Sequence, residues 1–517
     1  MMSLGLKMHT LLRGMLSEQA ASEDVSVTHI TLDSREVLPG GLFLLLAKGG
    51  EQRLQYLEQA LSRGAIALAY DSERGLTEEE KDVCQQHKVT TYSVNDLSDN
   101  AGEIAARFFG RPSDKLTVIA ITGTNGKTSV SQFIAQAFES LNIPCGVIGT
   151  LGVGRVSQLQ FTGMTTPDPV TLQAVLADFR TQAINHVVIE ASSHALEQGR
   201  LNSVEIDIAV LTNLSRDHLD YHHSMDSYAA AKQRLFQFAN IKHAVINLAD
   251  DFGKSIAETI DQTKVQLLSY SSESLPQQYK LDIQAVAINT KPEGISFKLQ
   301  SKFESADVTS TLLGHFNVDN LLATILALLA TGIEFKQTIE AITHCHAVDG
   351  RMEVHGGGDK VQVVIDFAHT PDALTQAIVS LKTHLTSEGQ LWCVFGCGGN
   401  RDKGKRALMG ASVENNADKL VITSDNPRDE SNEAIAEDIL VGIKKSGEVK
   451  IEHDRQNAIN YAISSASIKD IVLVAGKGHE QYQEIAGIKH PFSDAQAVIK
   501  ALAAANDGSH FNVGQKQ

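Results

Sequence analysis

The run Leu116-Thr-Val-Ile-Ala-Ile-Thr-Gly-Thr-Asn-Gly-Lys-Thr128 decides how the middle of this chain folds. Its first residues are apolar and β-branched, the signature of a strand buried on both faces. The helical pattern Val130-Ser-Gln-Phe-Ile-Ala-Gln-Ala-Phe138 follows the glycines. A strand, a glycine-bearing turn and a helix in that order make a phosphate-binding loop. Gly123 and Gly126 let backbone N–H groups approach phosphate oxygens, Lys127 reaches the terminal phosphates, and Thr128 offers a hydroxyl to Mg²⁺ at the positive helix end. The common G-x-x-x-x-G-K-[ST] pattern is not met, because Ile121 stands where its first glycine would be. Gly123, Thr124, Asn125, Gly126, Lys127, Thr128 and Ser129 are therefore the expected nucleotide-binding residues.

Outward from the loop, apolar runs at His186–Ile189, Ile206–Leu211 and Ala244–Ile246 alternate with helical patterns. Such alternation predicts a parallel sheet covered on both faces. Between about Lys280 and Leu313 the pattern becomes polar–apolar alternation, which predicts a few appended antiparallel strands. A second series of apolar runs (Val361–Ile365, Leu391–Phe395, Leu420–Ile422, Ile471–Ala475) predicts a Rossmann-like doubly wound domain. Before the loop, a strand at Leu42–Ala47 and a helix from about Leu54 to Arg63 predict a small α/β domain. With 517 residues, more than one core is required, and we expect three α/β domains: 1–112, 113–348 and 349–517. The tail after Asn506 is expected to fray.

Composition narrows the class of ligand. Hydrophobic residues make up 42% and charged residues 21%, with a net charge of -17. That surface repels nucleic acid and anionic membranes, so anionic substrates must be held by local cations and backbone amides. Met1–Met15 lacks the pattern of a signal peptide, and no window is apolar enough for a membrane span. The five cysteines (Cys84, Cys145, Cys345, Cys393, Cys397) are odd in number and scattered, which fits free thiols in a cytoplasmic protein. A monomer acting on small molecules is expected.

Further motifs carry acids, histidines and one misplaced lysine. Glu190 lies in Val188-Ile-Glu-Ala-Ser-Ser-His194 and His218 in Leu211-Thr-Asn-Leu-Ser-Arg-Asp-His218, both at the expected ends of central strands. Tyr228, Lys232, Leu235 and Phe236 share a helical face, so Lys232 either snorkels to solvent or is buried for a purpose.

Thr122-Gly-Thr-Asn-Gly-Lys-Thr128 resembles the ATP loop of the Mur ligases of peptidoglycan synthesis and their folylpolyglutamate synthase relatives, and further family motifs recur in order through all three expected domains. The resemblance implies an ATP-dependent ligase that phosphorylates a substrate carboxylate and lets an amine attack the acyl phosphate. It implies that Thr128, Glu190 and His218 hold Mg²⁺, that a carbamylated Lys232 helps to hold a second Mg²⁺, and that Arg351, in Val348-Asp-Gly-Arg-Met352, faces the reacting phosphate with Lys127. Asn317 and Asn320, in Gly314-His-Phe-Asn-Val-Asp-Asn320, and Asp366 match ATP contacts.

For a UDP-MurNAc-dipeptide substrate the family residues map onto Leu32 and Ser34 in the first domain, and onto Thr165, Thr166, Ser192, Gln198 and Arg200 in the second. Met164 stands where many members carry Asn, and Gly49–Arg53 replaces their Asp-Gly stretch. For the incoming amino acid, Arg401, Asp425, Asn426, Pro427, Arg428, Gly476 and Glu480 match members that use meso-diaminopimelate. Arg428 can grip the distal carboxylate that lysine lacks. The same reaction with L-lysine and a folylpolyglutamate synthase are the rival readings. A P-loop switch is disfavoured because no Asn-Lys-x-Asp motif is present.

Overall fold

The computed structural model describes residues 5–17, 23–47, 49–445 and 449–506; the tail expected to fray lies outside the described residues. The chain divides into two compact units, Met1–Tyr270 with Leu326–Ile333, and Ser271–Ile325 with Glu334–Gln517.

The first unit holds the small antiparallel pair Leu6–Lys7 and Ser26–Val27 and two larger sheets. A four-stranded parallel sheet runs His29–Thr31, Gly41–Leu45, Ala65–Asp71, Thr90–Val94 in spatial order, and the helix Glu51–Ser62 follows its second strand. Within this unit the largest sheet runs, in spatial order, Gln158–Gln160, Gly152–Arg155, Cys145–Gly149, His186–Glu190, Thr117–Thr122, Ile208–Leu211, His243–Asn247, Gln266–Ser271. Its last six strands are parallel, as the near-continuous apolar runs predict, and the first two form an antiparallel hairpin at one edge. Val118, Ile119, Ala120 and Ile121 are fully buried, so the strand leading to the glycine loop is the centre of this core. From it the chain goes first to Cys145–Gly149 on one side and later to Ile208–Leu211 on the other. The order of the sheet thus reverses at the loop, the position where open α/β sheets bind ligands.

Local sequence starts the helices around that sheet. Asp168 caps the helix Pro169–Thr181 by accepting from the amides of Val170 and Thr171, with proline at the first helical position. Ser192 caps the short helix Ser193–Glu197 through the amide of Ala195.

In the second unit the alternating stretch forms three antiparallel strands, Ile283–Lys291, Gly294–Ser301 and Ala306–Ser310. A six-stranded sheet has the order Glu353–Gly356, Gln362–Asp366, Ile471–Ala475, Leu391–Phe395, Lys419–Ile422, Lys450–Ile451, parallel except for the first strand, and Tyr482–Ile485 pairs with Ile488–Pro491 in a separate hairpin. Helices Pro371–Lys382, Gly404–Asn416 and Asn432–Leu440 bury Ile378, Met409 and Ile439 against one face. Helices Arg455–Ser465 and Asp494–Asn506 bury Ile459 and Val498 against the other, completing a doubly wound layer. All five cysteines are buried and free. Among the described residues no helix is long and apolar enough to cross a membrane.

Candidate active site

The glycine loop joins the strand Thr117–Thr122 to the helix Lys127–Ser140. Gly126 ends it with φ 85°, a conformation glycine adopts without penalty, and so exposes the first amides of the helix. The loop is laced to the end of the neighbouring strand. Thr124 donates its amide to the Asn213 carbonyl at 2.9 Å, the Asn125 amide reaches Asn213 Oδ1 at 3.0 Å, and Ser215 donates its amide to Thr124 Oγ1 at 2.9 Å. Lys127 Nζ folds back onto the carbonyls of Gly123 and Thr124 at 2.8 and 3.0 Å.

Glu190 ends the strand on the other side of the loop, and its side chain is fully buried. Its Oε2 accepts from Thr128 Oγ1 at 2.9 Å and from Thr150 Oγ1 at 3.0 Å; its Oε1 accepts from the Thr150 amide at 3.0 Å. Thr150 Oγ1 also lies 3.1 Å from Thr165 Oγ1. Thr166 Oγ1 donates to the Glu190 carbonyl at 2.6 Å, and the Thr166 carbonyl accepts from Arg200 at 2.7 Å. Arg200 in turn grips Gln198 Oε1 with Nε and Nη2 at 3.0 and 2.6 Å. Ser192 donates its amide to Thr166 Oγ1 at 3.2 Å. Residues expected for two different substrates therefore form one continuous hydrogen-bonded chain running from Thr128 to Arg200. Glu190 is the link, and Thr150, which nothing in its local sequence marks, ties that carboxylate to Thr165.

Lys232 is 1% exposed, which rules out snorkelling. It sits near the end of the helix Met225–Gln233, with Nζ donating to the Gly123 carbonyl at 2.6 Å and lying 4.5 Å from the centre of the Tyr228 ring. Burial, reinforced by the charge of Lys127, holds this amine well below the usual lysine range. His218 packs edge-on to His194 and Tyr228, with ring centres 5.1 and 6.1 Å away, and burial lowers its pKa as well. It occupies a left-handed position, φ 53°.

Among the described residues no three histidines, cysteines or acids gather as a self-contained metal cage. Mg²⁺ is usually bound by one or two carboxylates together with phosphate and water oxygens. The paired hard oxygens of Thr128 and Glu190, at a helix N-terminus, fit that mode. Burial of Lys232, which disfavours its charged form, fits carbamylation.

In the second unit the predicted amino-acid residues converge. The Asp425–Arg428 segment follows the strand Lys419–Ile422, and Gly476 follows Ile471–Ala475. Gly476 has φ 113°, a conformation that favours glycine, and a Cβ there would lie 2.7 Å from Asp425 Oδ2, so the two segments meet closely here. Asn426 Nδ2 donates to Glu480 Oε2 at 2.8 Å. Fully buried Lys477, missed in the sequence, ties Asn426 Oδ1 at 3.0 Å to Glu480 Oε2 at 2.8 Å. Arg428, at φ 52°, reaches the Gly399 carbonyl at 2.8 Å and Glu484 Oε2 at 3.1 Å. A Cβ on Gly398 would meet Arg428 Nη1 at 3.1 Å and Arg401 Cγ at 3.8 Å, which puts both arginines beside that glycine. The Pro427 carbonyl faces Gly399.

The remaining predicted residues are placed as follows. Arg351 lies over the Phe367 ring at 4.5 Å. Both oxygens of Asp366 accept backbone amides, from Met352 at 2.8 Å and Ala368 at 2.9 Å. Asn317 and Asn320 are buried, with Asn320 Nδ2 donating to Asn317 Oδ1 at 2.8 Å. In the first unit Ser34 donates to Gln59 at 2.7 Å, beside a half-buried Leu32.

Amides at a helix start handle phosphate, and hard oxygens beside them suit the cation that accompanies it. Fold and site together define a P-loop nucleotide-dependent enzyme. Residues 121–328 match the Mur ligase middle domain and residues 350–478 the Mur ligase, glutamate ligase domain. A protein of Chromobacterium violaceum named UDP-N-acetylmuramoyl-L-alanyl-D-glutamate--2,6-diaminopimelate ligase is 42% identical over 92% of this chain and 94% of its own length. Its Pseudomonas putida namesake is 43% identical over 94% and 96%. A solved structure of a ligase with the same name superposes with a TM-score of 0.68 at 39% identity, covering 93% of this chain and 96% of that one. The chain belongs to the Mur ligase family.

Proposed function

We propose that this chain joins the amino group of meso-2,6-diaminopimelate to the γ-carboxyl of D-glutamate in UDP-MurNAc-L-Ala-D-Glu, with ATP converted to ADP and phosphate, in cytoplasmic synthesis of peptidoglycan precursors. The observation that carries this reading is 42–43% identity, over nearly the whole length, to ligases named for that reaction. Three domains, 1–112, 113–348 and 349–517, divide the work between uridine-diphosphate, ATP and amino acid, and the enzyme acts as a monomer.

In this reading the substrate carboxylate attacks the γ-phosphorus and ADP leaves. The amine then attacks the acyl carbon, the C–O bond to phosphate breaks, and the nitrogen loses its proton. Alignment of two anions is the main barrier. The amides from Gly123 to Ser129 hold the phosphates. Lys127, once a phosphate replaces its carbonyl partners, and Arg351 neutralise the transferring group. Asn317, Asn320 and Asp366 bind the nucleoside, while Leu32, Ser34, Thr165, Thr166, Ser192, Gln198 and Arg200 hold the UDP-sugar peptide. Thr128, Glu190, His218 and carbamylated Lys232 would hold Mg²⁺, which supplies positive charge to the phosphate oxygens. The carbamate forms when the unprotonated Lys232 amine takes up CO₂ and releases a proton, and burial favours that unprotonated form. Arg401 and Arg428 bind carboxylates of diaminopimelate, and Asp425, Asn426, Pro427, Gly476 and Glu480 shape the site around its distal ammonium.

Phosphate release from purified protein with Mg²⁺-ATP and the UDP-dipeptide tests the reading. Turnover is expected with diaminopimelate and little with L-lysine. Equal or faster turnover with lysine overturns the amino-acid assignment, and no turnover with either overturns the ligase.

A further inference from the structure

Two strands carry the segments that meet around Asp425 and Gly476, yet they are not neighbours. Lys419–Ile422 and Ile471–Ala475 flank Leu391–Phe395, so their backbones lie about 10 Å apart and no ladder bond joins them directly. One side chain ties the backbones of both strand ends together, behind the Asn426, Lys477 and Glu480 contacts. Arg455, the first residue of the helix Arg455–Ser465, donates from Nη1 to the Ser424 carbonyl at 3.2 Å and from Nη2 to the Ala475 carbonyl at 3.0 Å. The same guanidinium grips Asp494 with Nε and Nη2, both at 2.7 Å. Both side chains are 0% exposed. Ser424 and Ala475 immediately precede Asp425 and Gly476.

We propose that the Arg455–Asp494 pair is the positioning device of the amino-acid site, resting on the function proposed above: it sets the distance between the Asp425–Arg428 segment and the Gly476–Glu480 segment. Asp494 aims the guanidinium from the helix Asp494–Asn506, and two of the three remaining N–H groups hold two backbone carbonyls at a fixed separation. Only a planar fork of five donors can do this at once; a lysine at this position would reach the carboxylate or a carbonyl, not the whole set. A fully buried ion pair is a poor choice for stability alone, since apolar residues of similar volume often serve as well. Here the fixed spacing has a direct consequence. It places Asn426 within reach of Lys477 and Glu480, at 3.0 and 2.8 Å, so a spread of the two strand ends would pull the site apart while leaving the glycine loop of the other unit intact.

The test uses the full-length enzyme in two forms, Arg455→Lys and the double variant Arg455→Met with Asp494→Leu. Thermal unfolding and steady-state constants for diaminopimelate and for ATP are measured on each. The double variant is expected to keep its unfolding midpoint, and both forms should raise the KM for diaminopimelate about tenfold or more, with the KM for ATP within about twofold, as expected when a binding geometry shifts by a fraction of an ångström. Unchanged KM values, parallel increases for both substrates, or loss of the folded state in both forms overturn the positioning role. A wild-type chain inert with diaminopimelate and lysine sinks the functional reading and the positioning role with it; an active wild type with unaffected variants sinks the positioning role alone.

Discussion

Gly149→Ala offers a way to move Glu190 without changing any polar group. Gly149 ends the strand Cys145–Gly149 beside Glu190, and its φ lies outside the left-handed region, so alanine brings no backbone strain. The added methyl collides with Glu190 Oε1 and would lie 2.8 Å from Cδ and 3.0 Å from Cγ. Carbon pairs settle at roughly 3.5–4.0 Å, so the carboxylate must retreat by about 1 Å. Its bonds from Thr128 and Thr150, now 2.9–3.0 Å, would then exceed hydrogen-bonding range. The expected result is a loss of about 1–3 kcal/mol in stability, as for other overpacked sites, and a fall in kcat of about 100-fold, the scale of a 1 Å misplacement.

Gly146→Ala is the control. It lies in the same strand, and its methyl would meet the Phe179 ring at 2.6 Å. It should lose similar stability but keep its kcat. Both variants are assayed by chemical unfolding and by phosphate release. If Gly149→Ala keeps a near wild-type kcat, or Gly146→Ala loses as much, Glu190 does not work where the geometry places it.

Three other perturbations separate the parts of the site. Arg428→Ala removes a charged fork, and at about 1.5–3 kcal/mol it should raise the KM for diaminopimelate roughly 10- to 100-fold with little change for ATP; equal increases would make Arg428 structural. Thr150→Val keeps the shape but deletes the hydroxyl shared by Glu190 and Thr165. It should lower kcat about tenfold, near 1.5 kcal/mol, and a normal kcat would break the proposed link. His479 is held down to about 4, by burial first and then by the charge of Arg351. Its folded pKa lies below the unfolded one, so between pH 4 and 6.5 the unfolded chain binds the extra proton. The share of stability due to neutral His479 is therefore complete above pH 6.5 and falls as pH drops towards 4. Denaturant midpoints at pH 7 and pH 5 should differ more for wild type than for His479→Gln; identical differences would refute the assignment.

How much was legible without coordinates follows from the range of the interactions. Val118 to Ile121, the glycines at 123 and 126 and the helix behind them are local: apolar runs, missing side chains and backbone conformation act within a few residues. So the parallel sheets, the loop and the doubly wound layer could be read in order, and the resemblance of the motifs carried the substrate class. Lys232 shows where that reading stops. Its helical face was visible, but whether its amine reaches solvent depends on what covers it, and the covering comes from Tyr228 and the carbonyl of Gly123, 109 residues away in sequence.

Thr150, Lys477 and Arg455 belong to the same class. Thr150 and Arg455 lie in unmarked stretches and Lys477 between two marked residues, and each is important because strands distant in sequence end side by side. Sequence alone determined which chemistry the chain can attempt, because loop and motif chemistry is local. The tertiary structure decided which groups share a hydrogen-bonded network, because burial and distance across a sheet are properties of the packed chain.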